Sequence, residues 1–249
     1  MQSQTLNTAQ KVAVVTGGSS GIGLSFVTEL HAAGWLVYAG GRDQAKLARL
    51  TEQLPGVRTF ACDVSDRAAL ASAADRVAAE TGKIDLLISN AGGLKEVDFT
   101  SSDVASLEFA PQLRDNLEGA INLVCSFLPL LRKSAHGRII VVGSGFGVVP
   151  TLRAPIYSAA KAGLHMFAKA LRYQLKPTGI TVTEVLPPAV DTPAIAHRKV
   201  PKLSPAFVAQ KTLEAAQSGR PEVYLGQTKM LPVMLRIAPK FIEKIALKS

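Results

Sequence analysis

One stretch near the start of the chain constrains the fold more than any other. Val12 to Thr16 is a short apolar, mostly β-branched run, and it ends on Thr16-Gly17-Gly18-Ser19-Ser20-Gly21-Ile22-Gly23. Apolar residues then recur with helical spacing from Ile22 to Ala33, before Gly34. The pattern predicts a strand, a tight glycine turn and a helix. Glycines at such a turn let backbone N–H groups approach a diphosphate closely, and the positive end of the helix dipole favours that anion. A tight connection with no ligand would have the same glycines, so the rest of the chain has to decide between the two.

The alternation continues. Leu36 to Ala39 precedes a helix running through Leu54, Arg58 to Ala61 precedes one across Ala68 to Glu80, and Leu86 to Ser89 leads into a second glycine turn. Further apolar runs lie at Arg138 to Val142, Thr181 to Leu186 and Glu222 to Leu225. Strands that alternate with helices imply a parallel sheet covered on both faces. The expected architecture is therefore α/β: a Rossmann-like, doubly wound parallel sheet of about seven strands with helices on both faces. No repeat, low-complexity linker or composition shift divides residues 1–249, so a single domain is expected.

Composition narrows the function classes. Hydrophobic residues make up 47% of the chain and charged residues 19%, a globular balance. Met1 to Gln10 reads as neither a secretory signal nor an anchor, and no run reaches the roughly 18 apolar residues of a spanning helix. The expectation is a soluble cytoplasmic protein. Cys62, Cys125 and four scattered histidines offer no metal-ligand spacing, so neither a disulfide nor a metal is expected. The net charge of +9 is concentrated late, since residues 195–249 carry ten Lys and Arg against three Glu. Such a bias can draw phosphates, acidic carrier proteins or anionic lipid, or serve only as a solvated surface. No nucleic-acid partner is expected.

The end of the second strand bears on cofactor choice. NAD-preferring sites usually carry a carboxylate there, whereas this chain has Gly40, Gly41 and Arg42. A guanidinium suits a 2′-phosphate, which favours NADP(H) over NAD. The alternative is that Arg42 faces solvent or pairs with a nearby acid such as Asp43.

Taken together, Thr16 to Gly23, the Asn90-Ala91-Gly92 turn, Ser144 and Tyr157-Ser158-Ala159-Ala160-Lys161 resemble the short-chain dehydrogenase/reductase family, over residues 11 to about 228. Their order, and the separation of thirteen between Ser144 and Tyr157, carry the likeness. Leu171 to Leu175 and Pro187 to Thr192 look most like a bacterial branch that includes oxidoreductases named after the D-alanylation operon. The resemblance implies a cofactor site at Gly17, Ser19, Ser20, Gly21, Ile22 and Gly23, with Asp63 and Val64 near the adenine and Asn90 and Gly92 shaping the cleft. It implies Val190 and Thr192 beside the nicotinamide, Asn116 as the holder of a proton-relay water, and Lys161 bonding the nicotinamide ribose. A homodimer or homotetramer is also implied. Two departures stand out: Pro188 where many members have glycine, and Gly143 where a serine is common.

The chemistry fits the side chains. Reduction of a carbonyl delivers hydride to carbon while oxygen gains a proton, so an acid must reach that oxygen. Tyr157 is the expected acid, Lys161 sits one helical turn away to favour its phenolate, and Ser144 steadies the substrate oxygen. The expected activity is NADP(H)-dependent hydride transfer between nicotinamide and a secondary alcohol or carbonyl of a small or lipid-like substrate. A non-catalytic NADP-binding regulator and a ketoacyl-carrier reductase are the alternatives; an epimerase would want an added substrate domain. Asp191 to Lys211 reads as a substrate lid. Residues 229–249 form a basic, apolar extension in which Pro232 and Pro239 interrupt any long helix. Packing of this extension against the core or a second subunit is favoured over peripheral membrane contact.

Overall fold

Val12–Thr16 (β1) is an interior strand of a seven-stranded sheet, and every pairing in that sheet is parallel. The computed structural model describes residues 10–247. Residues 1–9, which hold most of the segment read as neither signal nor anchor, and the last two of the extension lie outside the described residues. After β1 come α1 (Gly21–Ala32), β2 (Leu36–Gly41), α2 (Gln44–Gln53), β3 (Arg58–Ala61), α3 (Arg67–Thr81) and β4 (Leu86–Ser89). The second half contains α4 (Ala110–Leu113), α5 (Gly119–Leu131), β5 (Arg138–Val142), α6 (Pro155–Leu175), β6 (Thr181–Leu186), α7 (Pro205–Gln217), β7 (Glu222–Tyr224), α8 (Leu231–Ile237) and α9 (Pro239–Ala246). The strand order is β3-β2-β1-β4-β5-β6-β7, so the direction of winding reverses between β1 and β4. In an open parallel sheet that reversal leaves a crevice at the carboxyl ends of the strands, where ligands bind.

The strands read as continuous apolar runs because both faces are covered. Val12 and Val14 pack with residues of α3, α5 and α6, whereas Ala13 and Val15 pack with residues of α1 and α7. Local signals set the helix ends. The Asp66 carboxylate accepts hydrogen bonds from the N–H groups of Ala68 and Ala69 to start α3, and Gly82 at φ 70° stops it.

No long helix runs through the carboxy-terminal extension: α8 ends at Ile237, directly before Pro239, and Pro232 and Pro239 stand in the first turns of α8 and α9, where a missing N–H costs nothing. The segment Asp191 to Lys211, expected to act as a lid, contains the start of a helix, because Ser204 caps α7 and the helix is under way from Pro205. Val208 and Ala209 are fully buried in the cluster that α7 shares with α1, so the helical end of the segment packs into the core. Within α8 and α9, Leu231, Ile242 and Ala246 turn inward onto Phe146 and Val149, while Val233, Ile237 and Phe241 are exposed. No helix among the described residues is long and apolar enough to cross a membrane.

Candidate active site

A cavity of about 720 Å³ opens at the carboxyl edge of the sheet. At one end it meets the turn between β1 and α1. Gly17 and Gly21 adopt φ of 64° and 54°, conformations that side chains resist. Thr16 and Asn90 fix this turn from two strands. Asn90 Nδ2 donates to the Thr16 carbonyl at 2.9 Å, and the N–H groups of Asn90 and Ala91 both donate to Thr16 Oγ1. Ser20 caps α1 without a side-chain hydrogen bond and the first turn holds no acid, so its N–H groups remain available to an anion.

The sequence-expected residues converge on this cavity with one exception. Gly17, Ser19, Ser20, Gly21, Ile22, Arg42, Asp63, Val64, Asn90, Gly92, Asn116, Ser144, Tyr157, Lys161, Val190 and Thr192 all line it. Gly23 does not. A Cβ there would overlap the Gly17 carbonyl, so Gly23 serves the packing of helix against turn. Asp43, offered as a partner for Arg42, instead caps α2 and pairs with Lys46 at 3.2 Å. Arg42 reaches across the cleft to Asp115 at 3.3 Å and Asp63 at 3.6 Å, and its side chain is 66% exposed. Lys46 lines the same end of the cavity and adds a second cation there, which the sequence reading missed. Burial pushes the Asp63 carboxyl up, but hydrogen bonds from Ser65 and the charge of Arg42 outweigh that and leave it below the usual range.

The middle of the cavity holds the acid-base residues. Ser144 follows β5, and its Oγ accepts the Phe146 N–H at 3.2 Å, which leaves its own O–H to donate elsewhere. Tyr157 and Lys161 stand one turn apart on α6, with Lys161 Nζ 5.7 Å from the centre of the Tyr157 ring. The ammonium donates to the Val142 carbonyl at 2.9 Å. Burial lowers the lysine to about 8, against the opposing pull of the Glu184 carboxylate. Burial also pushes the Tyr157 phenol up, and the Ser144 hydroxyl pulls it back. Asn116 lies in a π-helical turn, Arg114–Glu118, and its amide is committed to backbone: Nδ2 donates to the carbonyls of Gly93 and Gln112, and Oδ1 accepts the Gly93 N–H.

Behind Lys161 lies a pair that the sequence reading missed. His165, one turn further along α6, brings Nδ1 to 2.7 Å from Glu184 Oε2. The Glu184 hydrogen bond raises the histidine above its ordinary value, with burial opposing. Glu184 is fully buried on β6, and its Oε1 has no hydrogen-bond partner among the described residues. A Cβ at position 143 would overlap that oxygen, which explains why the chain carries Gly143 where a serine is common.

The comparisons agree with this arrangement. The family model described as short chain dehydrogenase matches residues 11–201. A Bacillus subtilis (strain 168) protein named uncharacterized oxidoreductase DltE is 36% identical over 179 residues, 72% of this chain and 71% of that protein. The fatty acyl-CoA reductase of Acinetobacter baylyi is 31% identical over 242 residues, 94% of this chain and 82% of the relative. A crystal structure of a short chain dehydrogenase from Burkholderia cenocepacia J2315 in complex with NADP superposes with a TM-score of 0.85 at 27% identity, covering 97% of this chain and 99% of that one. With a doubly wound sheet, a glycine turn at its switch point and Ser144, Tyr157 and Lys161 around one cavity, this chain belongs to the short chain dehydrogenase family of oxidoreductases, close to the DltE-type members.

Proposed function

We propose that the protein is an NADP(H)-dependent oxidoreductase that transfers hydride between the nicotinamide and a carbonyl or secondary alcohol carbon. The observation that carries this reading is the convergence of Ser144, Tyr157 and Lys161 on the cavity that also holds the glycine turn. The residues fit a nicotinamide dinucleotide: the uncapped start of α1 suits its diphosphate, and Arg42 with Lys46 suits a 2′-phosphate. Gly92, Asn90, Val190 and Thr192 would flank the nicotinamide half, and Val64 and Asp63 the adenine. The bound cofactor supplies or accepts the hydride.

The chain supplies the proton and the orientation. The Ser144 O–H, which otherwise favours the Tyr157 phenolate, would donate to the substrate oxygen and hold that oxygen beside Tyr157. In reduction, Tyr157 Oη gives its proton to the oxygen as the carbon gains hydride; in oxidation the phenolate takes it back. Burial opposes ionisation of the phenol and the Ser144 hydroxyl favours it, and the Lys161 ammonium one helical turn away adds its charge to that side. Lys161 uses one N–H on Val142 and keeps the others for the ribose and for Tyr157. Parallel titration with NADPH and NADH, followed by NADPH oxidation with carbonyl compounds by the parent and by Tyr157→Phe, tests the proposal. Binding of NADPH in preference to NADH, with turnover abolished in the variant, is the expected result; failure to bind either cofactor sinks it.

A further inference from the structure

Past Ser144 the cavity lining includes a group of apolar side chains. Phe146 and Val149 form its floor in the loop after β5, and Leu231, Ile242, Ile245 and Ala246 form its roof on α8 and α9. Val149, Leu231 and Ala246 are buried in a cluster of their own, distinct from the two clusters that cover the sheet. The roof therefore packs on the cavity lining, and its apolar face is directed at whatever the cavity holds.

Thr228 and Arg198, two of the polar residues nearby, are already matched, and Gln227, which also lines the cavity, is exposed. The Thr228 hydroxyl hydrogen-bonds the carbonyls of Leu186 and Leu225 at 2.6 and 2.8 Å. Arg198, contributed by the segment before α7, pairs with Glu96 at 3.2 Å and leaves its side chain only 10% exposed. A ligand in this arm meets hydrocarbon, and water there finds few groups to bond. The arm reaches the surface at Ile245, which lines the cavity and is 49% exposed. An open end of this kind admits a chain longer than the arm itself.

We infer that this arm binds an extended alkyl chain, so that the substrate class is a ketone or aldehyde carried on a long apolar chain rather than a sugar or a small charged acid. The inference rests on the oxidoreductase reading for its reaction, but the binding it describes is separate from turnover. Calorimetric titration of the NADP+-loaded protein with 2-pentanone, 2-heptanone and 2-nonanone measures it, because the oxidised cofactor cannot reduce a ketone.

Affinity is expected to rise about two- to fourfold per methylene, the range set by moving each one out of water. In Ile242→Asp, and in Ile245→Asp at the exposed rim where folding is least at risk, the rise is expected to flatten. Unchanged unfolding midpoints by circular dichroism would exclude a general loss of structure. Affinity independent of chain length, or a rise that persists in both variants, overturns the inference. Rising affinity with no NADPH consumption by any of these ketones would leave the arm standing and sink the oxidoreductase reading. Consumption indifferent to chain length would do the reverse.

Discussion

The carboxylate of Glu184 occupies the space that a side chain at position 143 would fill, and it holds that place through His165, whose Nδ1 lies 2.7 Å from Glu184 Oε2. Gly143 directly follows β5 and Glu184 lies on the neighbouring β6, and the histidine closes the arrangement from α6, one turn beyond Lys161. Installing a Cβ forces the Glu184 carboxylate to move and strains its hydrogen bond to His165. Gly143→Ala is expected to destabilise the fold by roughly 1–3 kcal/mol, as overpacking of a tight core does. Combining it with Glu184→Ala should cost less than the sum of the two single changes, a coupling that urea unfolding of the four proteins measures directly.

The histidine bond makes a second, pH-dependent prediction. The folded-state pKa of His165 lies above its unfolded value, with the Glu184 hydrogen bond as the main cause. The contribution is therefore fully present below the unfolded histidine value of about 6.5, and it is lost as pH rises through the folded one. Lys169 works against this shift and Glu222 with it. His165→Gln should thus cost most stability at acid pH, with the gap to the parent narrowing as pH rises. A gap that is flat from pH 5 to 9 would remove the histidine's charge from the account. His165→Leu should cost more, about 3–5 kcal/mol, because it leaves a buried carboxylate with no partner.

Cofactor preference is expected to rest on two cations rather than one. Arg42 and Lys46 both line the adenosine end of the cavity. A hydrogen bond to a charged group contributes about 1.5–3 kcal/mol, so each alanine variant should weaken NADPH binding by roughly 10- to 150-fold and leave NADH almost untouched. Arg42 also faces Asp63 and Asp115, so a phosphate has to compete with two carboxylates for it. Asp115→Asn is accordingly expected to tighten NADPH binding. Fluorescence titrations at low and high salt would read all three, and equal losses for both cofactors would contradict the assignment.

What the sequence disclosed and what it hid follow from the range of the interactions. The β-branched runs and the glycine turn are local, and each strand boundary they imply lies within two residues of the observed one. Ser144, Tyr157 and Lys161 were legible because their spacing is fixed on one strand end and one helix. Glu184 was not: an acid in an apolar strand reads as a surface position, and only β6 packing beneath α6 places it against His165, nineteen residues away in sequence. Lys46 carries no local signal of a site, and only the placement of α2 beside the cavity brings it to the lining. Gly143 was visible as a departure, but its reason required the neighbouring strand. The extension was read as apolar and basic; that its inward face roofs the cavity emerges only from its packing on Phe146 and Val149.

The sharpest test of the site concerns Lys161, whose placement sets function against stability. Burial holds its pKa at about 8 in the folded protein, well below the roughly 10.4 of a lysine in water. Below pH 8 the folded protein carries a desolvated ammonium that the unfolded chain would keep hydrated, and this opposes folding. As pH rises from about 8 to about 10.4 the folded form sheds the proton while the unfolded form retains it, so stability contributed at this position increases. Lys161→Met removes the buried charge and keeps most of the volume. It is expected to raise stability at pH 7 by about 1–3 kcal/mol, with the advantage shrinking toward pH 10. The same variant should lose turnover, since only the Ser144 hydroxyl then favours the Tyr157 phenolate against its burial. Chemical denaturation at pH 7 and pH 10 separates the two outcomes: a Met variant no more stable than the parent at pH 7 would mean that Glu184 and the Val142 carbonyl already offset the whole cost of burying the charge.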